Sequence, residues 1–439
     1  MKIFGRFIRT AVFTCATVLI SSVVSAAGWV HVAPTRKGVD LIEKCADPNS
    51  CYTRFGEIMI LQGGESFADE AHKVPDIESF ARRDDEKLYL LNSKDPAILN
   101  QVFPGVRVVW SGYGMKVLLA GETAAFNLLS KNSDFTRVEL LPENQTILSD
   151  EIFCKKTSKT EPDEISKFLD LLDMETFFKD LEMMVARKTR YTYVESAQKS
   201  IEDCAAIFNE LEIPTQQAPF SFGGGQANNL VATVKGTDEE NAGQILVVGH
   251  LDSTSPNPKV DAPGADDNGS GSAGVIALAR MLKKSGLQPA ATIKFVLFLG
   301  EEQGLYGSKG YVKTLTAEEK KQIKAVLNLD MIGFDAVAPL SIMIETNSFN
   351  RPMVEKMQQL AEKYAEFSIR TSFNAWGSDH APFLQQKIPA VLTIESEYSS
   401  NPNYHQVTDL IESINPDLCA NILRLNAATM YFYAMGQNP

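Results

Sequence analysis

The chain has 439 residues, 44% of them hydrophobic, and 42 basic against 55 acidic side chains give a formal net charge of −13. That length and apolar content can fill two hydrophobic cores. The acidic balance argues against nucleic acid or an anionic membrane surface as a partner.

In chain order, a basic start with Lys2, Arg6 and Arg9 precedes the apolar stretch AVFTCATVLISSVV and the small residues SAA. This is the pattern of a secretory signal. It predicts cleavage after Ala26 or Ala27 and a secreted protein, extracellular or periplasmic. Cleavage would change the charge from 42 − 55 = −13 to 39 − 55 = −16. An oxidising compartment permits disulfides. Cys45 and Cys51, which bracket the turn ADPNS, are the first expected pair, and Cys154 with Cys204 the second, leaving Cys419 free. No later apolar run is long enough to span a bilayer.

Between residues 27 and 142 the runs FGEIMILQ, KLYLL, VRVVW and MKVLLAG predict strands and TAAFNLLSK a helix, which together make a small α+β domain. It holds His31 and His72 but no acids at metal spacing, so it reads as non-catalytic. Residues 143–164 are polar and include a proline, as in an exposed linker. A domain placed before such a linker is expected to be a propeptide or accessory domain.

From residue 165 to 439, strands near NNLVATVKG, QILVVGH, TIKFVLFLG, AVLNLDMIG, SIMIET and AVLTIE alternate with helical patterns near SGSAGVIALARMLKKS, QGLYGSKGYVKTL, NRPMVEKMQQLAEKYA and PDLCANILRLNAATMYFYA. Such alternation predicts an α/β fold with a mostly parallel central sheet and helices on both faces. Three apolar strands finish on ionisable residues: QILVVGH on His250, with Asp252 two further on, KFVLFLGEE on Glu301 and Glu302, and AVLNLD on Asp330. Buried acids are costly without a cation, and strand ends are where open α/β sheets bind ligands. With Asp266 in PGADDNGSG and His405 in NPNYHQVTD, the chain has the imidazoles and carboxylates that a pair of hydrolytic metal ions requires. The HLD spacing lets Asp252 orient His250. Of the neighbours Glu301 and Glu302, one can bind metal while the other takes a proton from water.

Competing patterns are weaker. Gly269, Gly271 and Gly274 form a formal G-x-G-x-x-G, but Asp266 and Asp267 at that helix entrance would repel a pyrophosphate. FGGGQ lacks the Lys-Ser/Thr of a phosphate loop and reads as a turn. There is no G-x-S-x-G elbow and no H-E-x-x-H.

The motifs HLDS, PGADDNGSG, GEEQGLYGS, LDMIG, GSDHAPF and YHQVTD occur in one order, preceded by KTRYTYVESAQKSIEDCAAIF. From about Arg187 to Tyr433 the chain thereby resembles the secreted bacterial leucyl aminopeptidases, two-zinc exopeptidases whose wider group includes glutaminyl cyclases. The resemblance implies that His250 and Asp330 hold one zinc, that Glu302 and His405 hold the other, and that Asp266 bridges them. It implies Glu301 as general base for a water activated by the two zinc ions, Asp252 as the group orienting His250, and a cis Asp266–Asp267 peptide. Asp379 and His380 match a motif near the substrate pocket and are expected to support its wall rather than bind metal. The implied substrates are peptides with a free N-terminus, bulky apolar residues such as leucine favoured, with a monomer as the default state. A cyclase-type acyltransferase or a related carboxypeptidase is the alternative. Some relatives have a disulfide where this chain reads SFNAWGSDH, so the side-chain preference transfers less securely than the chemistry.

Overall fold

The computed structural model describes residues 29–439 apart from 38–40, 43–49, 64, 84, 94–95, 133–135, 150, 155–162, 336–338 and 397. The signal-like segment and Cys45 therefore lie outside the described residues. The chain divides into two units, the first ending at Ser149 and the second running from Asp150 to Pro439, with residues 93–96 and 133–136 grouped with the second.

The first unit contains β1 (Trp29–Pro34), β2 (Cys51–Phe55), β3 (Ile58–Gly63), β4 (Glu78–Ala81), β5 (Lys87–Ser93), β6 (Val106–Gly112), β7 (Met115–Ala120), β8 (Thr136–Leu140) and β9 (Gln145–Leu148). One sheet is ordered β9-β2-β3-β1-β4 and a second β6-β7-β5-β8. Helix Glu65–Ala71 closes one small core through Phe67, which packs with Ala33 and Leu61. Helix Glu122–Leu129 closes the other through Leu128, against Leu91 and Leu118.

The second unit contains β10 (Ile152–Cys154), β11 (Thr215–Phe222), β12 (Gly225–Val234), β13 (Gln244–His250), β14 (Thr292–Phe298), β15 (Ile323–Leu329), β16 (Ser341–Glu345), β17 (Phe367–Ser372) and β18 (Ala390–Glu395). Its sheet runs β11-β12-β14-β13-β15-β18-β16-β17, with β10 beside β17. The central strands β14, β13, β15 and β18 are mutually parallel, whereas β11/β12, β12/β14 and β16/β18 are antiparallel.

Strand periodicity builds three layers. Ile245 and Val247 of β13 point into the core shared with helices Gly271–Ser285 and Pro416–Ala434, while Leu246 and Val248 point to the opposite face, among Val312 and Phe383. Helix Gly271–Ser285 starts where any Cβ on Gly271 would collide with the Leu329 carbonyl and the Asn268 side chain. It ends on Gly286 at φ +68°, whose N–H returns to the Lys283 carbonyl. The glycine pattern therefore serves close helix-to-sheet packing.

Two expectations are corrected here. Residues 143–164 include β9 and β10, because Ile147, Leu148 and Cys154 are buried within an otherwise polar stretch. The Cys154–Cys204 bridge is not formed: both are buried free thiols, as Cys51 and Cys419 are free. Cys154 lies on the strand beside β17, and Cys204 on helix Glu195–Glu210, which packs on β12 near the far end of the sheet. Burial pushes the Cys154 thiol up to about 11. No described helix is long and apolar enough to cross a membrane.

Candidate metal centre

The parallel strands β13, β14 and β15 end together, so a residue at or just past each end meets the others at the carboxyl edge of the sheet. His250 is the last residue of β13 and is fully buried. Its Nε2 lies 3.2 Å from Asp330 Oδ1, just beyond β15, and 3.3 Å from Asp267 Oδ1. The other Asp267 oxygen is 3.1 Å from His405 Nε2, which also lies 3.0 Å from Glu302 Oε2. Two three-residue groups result, His250-Asp267-Asp330 and Asp267-Glu302-His405, each with donor atoms close enough to share one ion. The Tyr404 ring stacks on His405 at 3.9 Å.

Asp267, not Asp266, therefore stands between the two histidines, correcting the bridging residue inferred from the motif. Asp266 turns away. Its Oδ1 accepts from the Gly333 N–H at 2.8 Å and its Oδ2 from Asn401 Nδ2 at 3.1 Å. The cis peptide is likewise Asp267–Asn268, one bond later than expected. Asp409 fixes this choice: its carboxylate accepts the backbone N–H groups of both Asp266 and Asp267 at 2.9 Å.

Asp252 faces the imidazole of His250 through its backbone and its side chain. The His250 Nδ1 contact at 3.0 Å is to the Asp252 backbone carbonyl, and the Asp252 carboxylate is 3.7 Å away. That carboxylate also accepts the N–H groups of Glu301 and Glu302 at 3.2 and 3.3 Å, and the Thr192 hydroxyl at 3.0 Å. It holds the acidic pair in place. Glu301 is buried beside this cluster, near enough for its charge to act on His250.

The electrostatics are those of a site with excess negative charge. Burial alone would lower both histidines, but Asp330 and Glu301 push His250 well above its ordinary value, and Glu302 with Asp267 pushes His405 up to about 10. Burial opposes ionisation of Asp267, yet its hydrogen bonds to His250 and His405 hold it below the usual carboxylate range. Burial raises Glu302, helped by Asp267. Carboxylates in excess around two imidazoles suit a divalent cation.

A buried support layer completes the site. Ser378, of the GSDH motif, donates to Asp330 Oδ2 at 2.5 Å and receives Asn328 Nδ2 at 2.8 Å. His380 Nε2 lies 3.3 Å from Glu345 Oε1, and burial pushes Asp379 up to about 7; neither belongs to the metal-competent groups. Arg190, fully buried, spends its guanidinium on backbone carbonyls, those of Leu251, Pro263 and Gly264 at 2.7, 2.6 and 2.7 Å. It thus holds the loop that leads into Asp266. Arg190 and Asp409 were missed because nothing in local sequence distinguishes a charge used on backbone from a solvated one. Their only signal is position inside the KTRYTYV and YHQVTD motifs.

The family model for Peptidase family M28 matches residues 229–430. A probable leucine aminopeptidase of Arthroderma benhamiae is 31% identical over 268 residues, covering 58% of this chain and 72% of that protein. Leucine aminopeptidase 1 of Metarhizium robertsii is 28% identical over 275 residues, covering 58% and 68%. These relatives are fungal, whereas the motif resemblance pointed to bacterial proteins. Among solved structures, the LapA aminopeptidase of Legionella pneumophila matches with a TM-score of 0.57 and 19% identity over 81% of this chain and 99% of that one. A zinc aminopeptidase from Bacillus subtilis matches with a TM-score of 0.52 and 18% identity over 59% and 95%. At these identities the structures speak for the fold alone.

Proposed function

This chain belongs to peptidase family M28, and from that premise we propose that it is a zinc-dependent aminopeptidase, cleaving the first bond of peptides that have a free α-amine and favouring leucine-like residues. The observation that carries the proposal is the Asp267 carboxylate, with one oxygen 3.3 Å from His250 and the other 3.1 Å from His405. A carboxylate divided in this way is suited to bridging two ions. The donor set of imidazole nitrogens and carboxylate oxygens suits zinc. Glu302 Oε1 is buried and has no hydrogen-bond partner among the described residues, which makes it a further acceptor. His250, Asp330 and one oxygen of Asp267 would hold one ion; Glu302, His405 and the other oxygen would hold a second.

Zinc bound at such a site lowers the pKa of water and polarises a carbonyl oxygen. In the proposed mechanism Glu301 removes a proton from the attacking water as the new C–O bond forms at the scissile carbonyl. It delivers that proton to the nitrogen as the C–N bond breaks, so the products are a free amino acid and a shortened peptide. Asp252 keeps Glu301 aimed by holding the amides of Glu301 and Glu302.

The test compares a leucyl peptide with its N-acetylated twin, followed by mass spectrometry with and without a chelator. Chelator-sensitive release of leucine from the free peptide alone is expected. Cleavage of the acetylated twin, or release from the C-terminus, would overturn the reading. We also propose export through the N-terminal signal and removal of the first unit on maturation. Sequencing the N-terminus of the mature protein checks both.

A further inference from the structure

The tripeptide Tyr191-Thr192-Tyr193 is fastened to the catalytic edge of the sheet. The Thr192 hydroxyl donates to Asp252 Oδ2 at 3.0 Å and accepts the Gly300 N–H at 2.8 Å, immediately before Glu301. The two flanking rings lie 5.3 Å apart. Phe222, the last residue of β11, meets Tyr193 edge-on at 4.8 Å, and Tyr306 follows at 6.3 Å from Phe222. Tyr306 opens the helix after the acidic pair, with its N–H on the Gly300 carbonyl at 2.8 Å. The Tyr193 hydroxyl reaches the Gly223 carbonyl at 3.3 Å, closing the β11–β12 turn. Four rings from three chain segments thus form a wall beside Glu301 and Glu302. Burial and then Tyr193, Asp252 and Glu302 raise the Tyr191 phenol, so the charge of the site reaches that ring.

This wall differs from the Tyr404 ring stacked on His405, which is 5% exposed, whereas Tyr193 is 40% exposed. A substrate cut at its first bond places one residue at a closed end, while the rest continues into solvent. Only an exposed wall can accompany the continuing part. We propose that Tyr191, Tyr193 and Phe222 form the subsite for the side chain that follows the scissile bond, and that this subsite selects an aromatic residue there. The proposal rests on the aminopeptidase reading above.

The experiment measures kcat and KM for Leu-Phe and Leu-Gly with the zinc-loaded full chain, its Tyr193→Phe variant and its Tyr193→Ala variant, with circular dichroism on each. Ring stacking and the apolar area covered predict a preference of about tenfold in kcat/KM for Leu-Phe, expressed in KM. Tyr193→Phe should keep that ratio, and Tyr193→Ala should bring it towards one. An unchanged ratio in a folded Tyr193→Ala variant overturns the proposal. So does an equal loss of kcat on both dipeptides, the mark of a merely structural ring. If Tyr193→Ala does not fold, a wild-type ratio near one decides against the subsite, and a ratio of about tenfold kept by Tyr193→Phe supports it. A wild type that cleaves both dipeptides equally removes the subsite alone. One that cleaves neither removes the aminopeptidase reading with it.

Discussion

Asp266 and Asp267 are adjacent, both buried and chemically identical, yet one serves the protein interior and the other faces the histidines. Their division is made by the Asp409 carboxylate on two successive amides and by the Gly333 N–H on Asp266 Oδ1. Asp267→Asn should therefore abolish retention of one or both metal ions, whereas Asp266→Asn should leave metal content near that of the wild type and lower stability. Elemental analysis after dialysis separates the two, and equal metal loss would contradict the assignment. At Glu301, replacement by Gln should keep the metal and reduce kcat by about 100-fold or more, since general acid–base groups contribute on that order. Loss of metal with activity would make Glu301 a ligand. The motif made the acid pair legible but not the choice within it. That choice depends on hydrogen bonds to one residue, Asp409, 143 and 142 positions further along the chain than Asp266 and Asp267.

The elements that position the site were the ones most readable in advance. β13, β14 and β15 are buried on both faces, so each is largely apolar, and the ionisable residues at or just past their ends stand out. β11 (TQQAPFSF) and β17 (FSIRTS) were not anticipated: the first is a half-exposed edge strand with a proline, and the second buries polar side chains, Arg370 among them, beside Glu151. The loop between β13 and helix Gly271–Ser285 has little regular structure and is ordered by Arg190. Replacing Arg190 by Met would remove the Arg190 donors from the Leu251 and Pro263 carbonyls, at a cost of about 3 kcal/mol. A lowered denaturation midpoint with weaker metal retention is expected. A midpoint equal to that of the wild type would show that the loop is held by other means.

Across the whole molecule, composition indicated two cores, and two units are present. The boundary was less legible, because a polar segment can contain short strands whose few buried residues do not alter its average. The units should also respond differently to acid. Burial, and then the nearby His72, lower His31 from 6.5 to about 4. Above pH 6.5 neither the folded nor the unfolded form is protonated there and its stabilising effect is complete. As pH falls from 6.5 to 4, the unfolded chain binds a proton that the folded one refuses, and the first unit loses ~3 kcal/mol. The opening free energy of the β1 and β3 amides, taken from hydrogen exchange corrected for the intrinsic rate at each pH, should fall over that interval, and His31→Gln should flatten the dependence. An acid response identical in the variant would place its origin elsewhere.

The shared Asp267 carboxylate joins two unequal halves. On one side the His250 and Asp330 side chains are at most 1% exposed; on the other the His405 side chain is 31% exposed. In the two-ion site proposed above, an ion leaving through solvent should therefore depart from the His405 side sooner, and dilution or brief chelation would produce a half-loaded protein with an intact inner position. Because both positions draw on one carboxylate, the inner ion would then bind more strongly than it did in the full pair, and the last metal to be released would define a separate, much slower phase of inactivation.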